Sequence, residues 1–287
     1  MRSVGSLVGL AVGDAMGAPL EGLPRPSIPV TSMISGGRLH RRAGSYTDDT
    51  LQVLALTRSL LRCHGYNGAD TLQQLIEVYR RDPLVFGPTS TAVFDLILHR
   101  APPEDAARHI HSTRGSRSNG SVMRGIPLGI FYHDPVVVYE VSLSCSRLTH
   151  LDPIAGECSA VMNIMISGLC RGMKKAAALP WAIHWCENKE VAAMLIRFDD
   201  YEPAPSLDAL GATHCAVRVF MEAASFEEAV VRAVNLGGDA DTIGALCGAL
   251  AGAAWGLSAI PPRWLDTLRD APMILEAASR LSKIAEP

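Results

Sequence analysis

The sequence predicts an all-α protein folded as a single compact domain over residues 1–287, and three observations predict it. Helical periodicity recurs along the chain, while two-residue alternation is nearly absent, with Pro135–Tyr139 the one passable strand. No long Ser/Pro/Gly linker, low-complexity tract or internal repeat divides the chain. Aromatic residues make up only 6%, whereas there are 25 glycines and many alanines, a composition that lets helices approach closely.

Taken in order, the first segment is apolar, from Ser6 to Gly13, and Asp14 interrupts it. With a lone Arg2 before it, this stretch makes a poor signal sequence. Next, Thr47-Asp48-Asp49 opens a helix whose Val53, Leu56, Thr57, Leu60 and Leu61 share one face. Further helices are expected around 70–81, 89–99, 103–111, 136–147, 154–171, 174–187, 207–222 and 226–234. Asp82-Pro83, Gly87-Pro88 and Pro102-Pro103 break the chain between several of them. The run from Thr242 to Pro262 carries no charge and is long enough to span a membrane. Its glycines and alanines would give lipid little apolar surface, so a tightly packed, buried helix is the better reading. Ile274, Ala277, Ala278, Leu281 and Ile284 form a last amphipathic stripe.

Charge and cysteine content narrow the function. Hydrophobic residues reach 48%, too many for a disordered chain, and 26 basic against 29 acidic residues leave a net charge of -3. That balance offers no basic face for nucleic acid and no polybasic patch for a membrane surface. The seven cysteines are scattered and never form a C-x-x-C pair, so they read as reduced thiols in a soluble, cytoplasmic protein.

The polar loops carry the candidate chemistry, since a helical scaffold places it at helix ends. Thr47-Asp48-Asp49 and Asp239-Ala240-Asp241-Thr242 each set two carboxylates and a hydroxyl where a helix begins. Hard divalent cations take such oxygen ligands, and two facing clusters would hold a pair of ions. Each cluster alone also reads as a helix cap with acidic residues favouring the helix dipole. Gly237-Gly238 allows a tight turn and close approach to a ligand. Glu21 is a candidate metal ligand, or a base acting on water, and equally a solvated surface residue. Asp14 reads more readily as a helix-end cap than as a catalyst. Asn119-Gly120-Ser121 with Arg124 has the parts of an anion or sugar contact, although Asn-Gly is also a plain turn. His150 reads as a structural hydrogen-bonder. No G-x-G-x-x-G fingerprint, P-loop or Cys–His metal spacing is present in the sequence.

In order along the chain, four motifs resemble the ADP-ribosylglycohydrolase family, its bacterial dinitrogenase reductase-activating glycohydrolases among them. They are Gly9–Gly17 with Glu21, Tyr46–Thr50, Asn119–Arg124 and Asn235–Ala245, and the likeness runs from about residue 5 to Trp264. The resemblance implies an all-α fold and hydrolysis of the bond between ADP-ribose and a modified side chain, often arginine, with two Mg²⁺ or Mn²⁺ ions. By matching position it implies Thr47, Asp48, Asp49, Asp239, Asp241 and Thr242 as metal ligands and Glu21 as the catalytic acidic residue. The loop containing Asn119, Gly120, Ser121, Met123 and Arg124, together with Gly237 and Gly238, would contact ribose and diphosphate. Where arginine-directed bacterial members carry a loop carboxylate, this chain has Pro83-Leu84-Val85-Phe86-Gly87. Other activities kept open are a non-catalytic ADP-ribose-binding relative and a hydrolase of another ADP-ribose conjugate, serine-linked or small.

Overall fold

The computed structural model describes residues 1–38 and 40–285. Its helices are α1 (Arg2–Gly17), α2 (Asp48–Cys63), α3 (Gly68–Arg81), α4 (Pro88–Leu98), α5 (Pro103–Arg114), α6 (Gly120–Arg124), α7 (Ile126–Phe131) and α8 (Pro135–Arg147). The second half continues with α9 (Pro153–Cys170), α10 (Lys175–His184), α11 (Lys189–Ile196), α12 (Ala209–Glu222), α13 (Phe226–Val234), α14 (Ala240–Trp255), α15 (Pro262–Thr267) and α16 (Ala271–Ile284). Among the described residues the only β pairings are isolated bridges, so the all-α expectation holds.

The seam between α1 and α14 organises the rest. Gly5, Gly9, Gly13 and Gly17 of α1 face Gly252, Gly248, Gly244 and Ala240 of α14, backbone against backbone. A methyl added at Gly13 would lie 1.9 Å from the Gly244 carbonyl oxygen, and one at Gly9 2.3 Å from that of Gly248. Interior glycine costs a helix about 1 kcal/mol relative to alanine, and close approach offsets this through dispersion contacts over the whole seam. Residues Arg2–Leu20 and Pro153–Cys170 are long and apolar enough to cross a membrane, but their apolar side chains are buried inside the molecule. The charge-free run entering at Thr242 is the buried helix α14, which stops at Trp255 because Gly256 turns the chain with φ +82.

One expected element is overturned. Pro135–Tyr139 is no strand but the first turn and more of α8. Asp134 caps that helix, its carboxylate accepting the Val136 N–H at 2.9 Å, and Pro135 occupies the first helical position. Those two start signals override the β propensity of three consecutive valines. The helix α11, with Asn188 accepting the N–H groups of Glu190 and Val191, was not expected from the sequence.

A smaller core forms outside the main one. Tyr79, Phe86 and Phe94 pack with ring centroids 5.3 to 6.0 Å apart. The Tyr79 hydroxyl also donates to Asp95 at 2.7 Å. This trio fastens the turn at Pro83–Pro88 to α3 and α4, and so fixes one wall of the cleft described next.

Candidate active site

The helix starts at α2 and α14 meet the polar end of α1. Thr47 is the N-cap of α2, its hydroxyl accepting the Asp49 N–H and donating to the Asp49 carboxylate at 3.0 Å. Asp14, fully buried, caps the same helix from α1. Its carboxylate accepts the N–H of Thr47 at 2.8 Å, the N–H of Thr50 at 2.9 Å and the Thr50 hydroxyl at 2.6 Å. The cap reading of Asp14 is therefore right, with the helix capped being a distant one. From α14, the Thr242 hydroxyl donates to Asp49 at 3.2 Å and joins the two clusters. The Asn119 side-chain amide donates to Asp239, and that of Gln52 donates to Asp48 at 2.7 Å.

The resulting cleft is lined by Glu21, Asp48, Asp49, Asp239, Asp241 and Thr242, with Asn119, Gly120 and Met123 beside them. Carboxylate oxygens of Asp14, Asp49 and Asp241 lie within 4.8 Å of one another. Burial pushes Asp48 up to about 7 and both Asp14 and Asp239 up to about 6. Asp49 and Asp241 are raised well above the usual carboxylate range, first by burial and then by neighbouring carboxylates. Among the described residues no Lys or Arg forms an ion pair with these groups, and the Oδ1 atom of Asp241 is buried without a hydrogen-bond partner. A converging set of hard oxygen donors, one orphaned, fits a divalent cation of the Mg²⁺ or Mn²⁺ type.

Not every candidate reaches the cleft. Arg124 is fully buried on the far side of the one-and-a-half-turn helix α6. Its guanidinium donates to the carbonyls of Cys145, at 2.8 Å, and Ser146. Ser121 turns the same way and accepts from the Ser146 hydroxyl. Both are corrections to the expected sugar or diphosphate contact: the segment was read as a loop, and as a helix it divides its side chains between two faces. Gly237 and Gly238, at φ +77 and +62, do not line the cleft either. The Gly238 carbonyl accepts the Gly22 N–H at 2.7 Å and its N–H donates to Leu23 at 2.8 Å. The glycine turn thereby holds Glu21 against the start of α14.

Other residues lining the cleft were not singled out for function in the sequence. His150 is buried, with Nε2 2.9 Å from the Ser118 hydroxyl and Nδ1 2.7 Å from that of Thr149. Burial, and then Arg124, hold its pKa well below the ordinary imidazole value, so it is neutral. The turn at Leu84–Pro88, Ser90, Ser118 and the side chains of Arg38, Arg41 and Leu207 complete the lining. Gly87-Pro88 was visible as a chain break, but nothing local ties it to Asp48, and the turn carrying Arg38 was not singled out at all.

An all-α domain with an acidic cleft at the meeting of helix starts defines a class of helical scaffold suited to oxygen-ligated divalent cations. The family follows from comparison: the ADP-ribosylglycohydrolase model matches residues 1–287, and the chain belongs to that family of glycosidic-bond hydrolases. It is 29% identical to the ADP-ribosyl-[dinitrogen reductase] glycohydrolase of Rhodospirillum rubrum, over 93% of this chain and 90% of that one. It is 30% identical to the ADP-ribosylarginine hydrolase Tri1 of Pseudomonas putida, over 98% of this chain and 77% of the relative. A solved structure described as an ADP-ribosylglycohydrolase-related protein complex superposes with TM-score 0.88 at 32% identity, covering 99% of this chain and 98% of that one.

Proposed function

We propose that the protein releases ADP-ribose from modified protein side chains by hydrolysing the N- or O-glycosidic bond at the anomeric carbon. The observation that carries this reading is the pair of acidic helix starts, joined by the Thr242–Asp49 hydrogen bond, which share one cleft with Glu21. Thr47, Asp48, Asp49, Asp239, Asp241 and Thr242 would hold two divalent cations, Mg²⁺ or Mn²⁺. Bound there, the cations supply counter-charge and Lewis acidity toward the ribose hydroxyls and water.

The remaining work falls to the chain. Glu21, half-buried at the cleft edge, takes the proton of the attacking water and passes it to the leaving nitrogen or oxygen as the bond from the anomeric carbon breaks, so that the elements of water end divided between the two products. The surrounding carboxylates place negative potential where the oxocarbenium-like transition state gathers positive charge. Asn119 donates to Asp239 and so fixes one carboxylate in position for the sugar. Seven unpaired thiols support a reducing, cytoplasmic setting.

The test is to incubate the protein and Mg²⁺ or Mn²⁺ with arginine- and serine-linked ADP-ribosylated peptides and to measure free ADP-ribose. Release that stops on chelation is expected. Tight ADP-ribose binding without release from either peptide would overturn the reading in favour of a non-catalytic binder. The turn at Leu84–Gly87, which lines the cleft without a carboxylate, makes the serine-linked peptide the informative partner to the arginine-linked one.

A further inference from the structure

We infer that Arg38 and Arg41, carried on one small hairpin at the mouth of the cleft, grip the diphosphate of the substrate. The inference rests on the ADP-ribose reading above and assigns it a subsite. It begins from electrostatics. Five carboxylates line the cleft, those of Glu21, Asp48, Asp49, Asp239 and Asp241, one more than two divalent cations would offset, and a diphosphate entering beside them is repelled unless further cationic groups meet it. Arg124, the guanidinium the sequence offered for an anion, is buried away from the cleft. His150 is neutral. Arg38 and Arg41 are the basic side chains that remain among the described residues of the lining.

Their bonding leaves them free for this. The Arg41 guanidinium donates once, to the Tyr46 carbonyl at 3.1 Å, which orients it beside Thr47. Among the described residues Arg38 makes no hydrogen bond or ion pair and Arg41 makes no ion pair, despite the carboxylates in the same cleft. Guanidinium forks match phosphate oxygens two at a time, which an ammonium does not.

The hairpin is also built to hold its place. The Gly36 and Arg41 backbones exchange two hydrogen bonds at 2.9 Å, and the His40 N–H closes the turn onto Gly37. Gly37, at φ +76, lies so close to the backbone of Ala18 and Pro19 that an added methyl would sit 3.0 Å from each. The hairpin base therefore rests on the short turn that delivers Glu21. Arg38 lines both the cleft and an outer groove formed with Glu21, Gly22, Leu23 and Gly37. A diphosphate at that junction leaves the reacting ribose inside with the carboxylates and the nucleoside outside.

The test is calorimetric titration of ADP-ribose, with Mn²⁺ present, into the parent protein, Arg38→Gln, Arg41→Gln, the double variant and the double lysine variant. Each single change is expected to weaken binding about 10-fold and the double change about 100-fold, the range for lost charge-assisted hydrogen bonds. Added salt should weaken the parent and barely affect the double variant, while the lysines restore part of the affinity. Mn²⁺ affinity measured without nucleotide should stay at the parent value, which shows the carboxylates undisturbed. The inference is overturned if the double variant binds ADP-ribose as tightly as the parent while peptide hydrolysis continues with unchanged KM. If the parent neither binds ADP-ribose nor hydrolyses either peptide, the functional reading falls and takes this subsite with it.

Discussion

The two walls of the cleft are made on different principles. The inner wall consists of Asp48, Asp49, Asp239, Asp241 and Thr242 at the starts of α2 and α14, backed by Asp14 and Thr47; α14 meets α1 at glycine-close range, and hydrogen bonds among these side chains and to the start of α2 hold the group together. The outer wall consists of Arg38 and Arg41, beside the Gly36–Arg41 bridge, and the turn at 83–88. An aromatic trio fastens that turn to the domain, and Leu84 at its tip is largely exposed. Groups that must be held to fractions of an ångström stand on packed helices, and groups that meet variable parts of a substrate stand on loops.

The sharpest way to break this comparison is at the inner wall. Asp49→Ala and Asp239→Ala are expected to abolish cation-dependent release of ADP-ribose, and retained activity at full cation occupancy in either would remove its ligand role. Glu21→Gln should lower kcat by about 100-fold or more, as for loss of a general base, with ADP-ribose affinity largely kept. Steady-state kinetics beside a binding titration separates the two, and an unchanged kcat would take Glu21 out of the chemistry. Gly13→Ala puts a methyl into the Gly244 carbonyl, where neither backbone can yield, and should cost about 3 kcal/mol in thermal or denaturant unfolding.

The cation-free protein should also show a pH signature of the inner wall. Asp48 at about 7 and Asp14 and Asp239 at about 6 stand above the unfolded carboxylate value of about 3.9. The folded state then holds protons more tightly than the unfolded chain. That contribution is complete below the unfolded value and is lost as pH rises through about 6 to 7. The Tm of the cation-free protein should fall across that window and recover with Mg²⁺ or Mn²⁺; a flat profile would contradict the buried charge cluster. The smallest effect belongs to the outer wall. Gly87 lines the cleft at φ -64 with open space around it, and Gly87→Ala should change stability by only about 0.5 kcal/mol, the cost of a weaker helix cap. A loss comparable to that of Gly13→Ala would erase the distinction between the walls.

What could be read from the sequence divides along the same line. The starts of α2 and α14 were legible because capping hydroxyls, acidic residues and the apolar pattern lie within a few neighbouring positions. Asp14 was legible as a cap, but the helix it caps is 33 residues downstream, and no local signal carries that distance. Arg124 and Ser121 were misplaced because a short helix and a loop share the same Asn-Gly opening, and only the helix turns them inward. Pro135–Tyr139 shows propensity yielding to a cap. The outer wall was illegible as a wall, since Arg38 and Leu84 meet the cleft through folding of the whole chain.

The glycine seam has one more consequence, which concerns alignment. Glycines recur at four-residue intervals on both α1 and α14, so a slide of four residues, about 6 Å, would again set glycine opposite glycine. Gly9, Gly13 and Gly17 would then face Gly252, Gly248 and Gly244, and sterically the seam would hardly register the error. What tells the native alignment from its neighbour is polar: only there does Asp14 find the N–H groups of Thr47 and Thr50 and stand beside Asp241. The carboxylate at the heart of the acidic cluster is thus the phase mark that lets two nearly periodic helices find one setting.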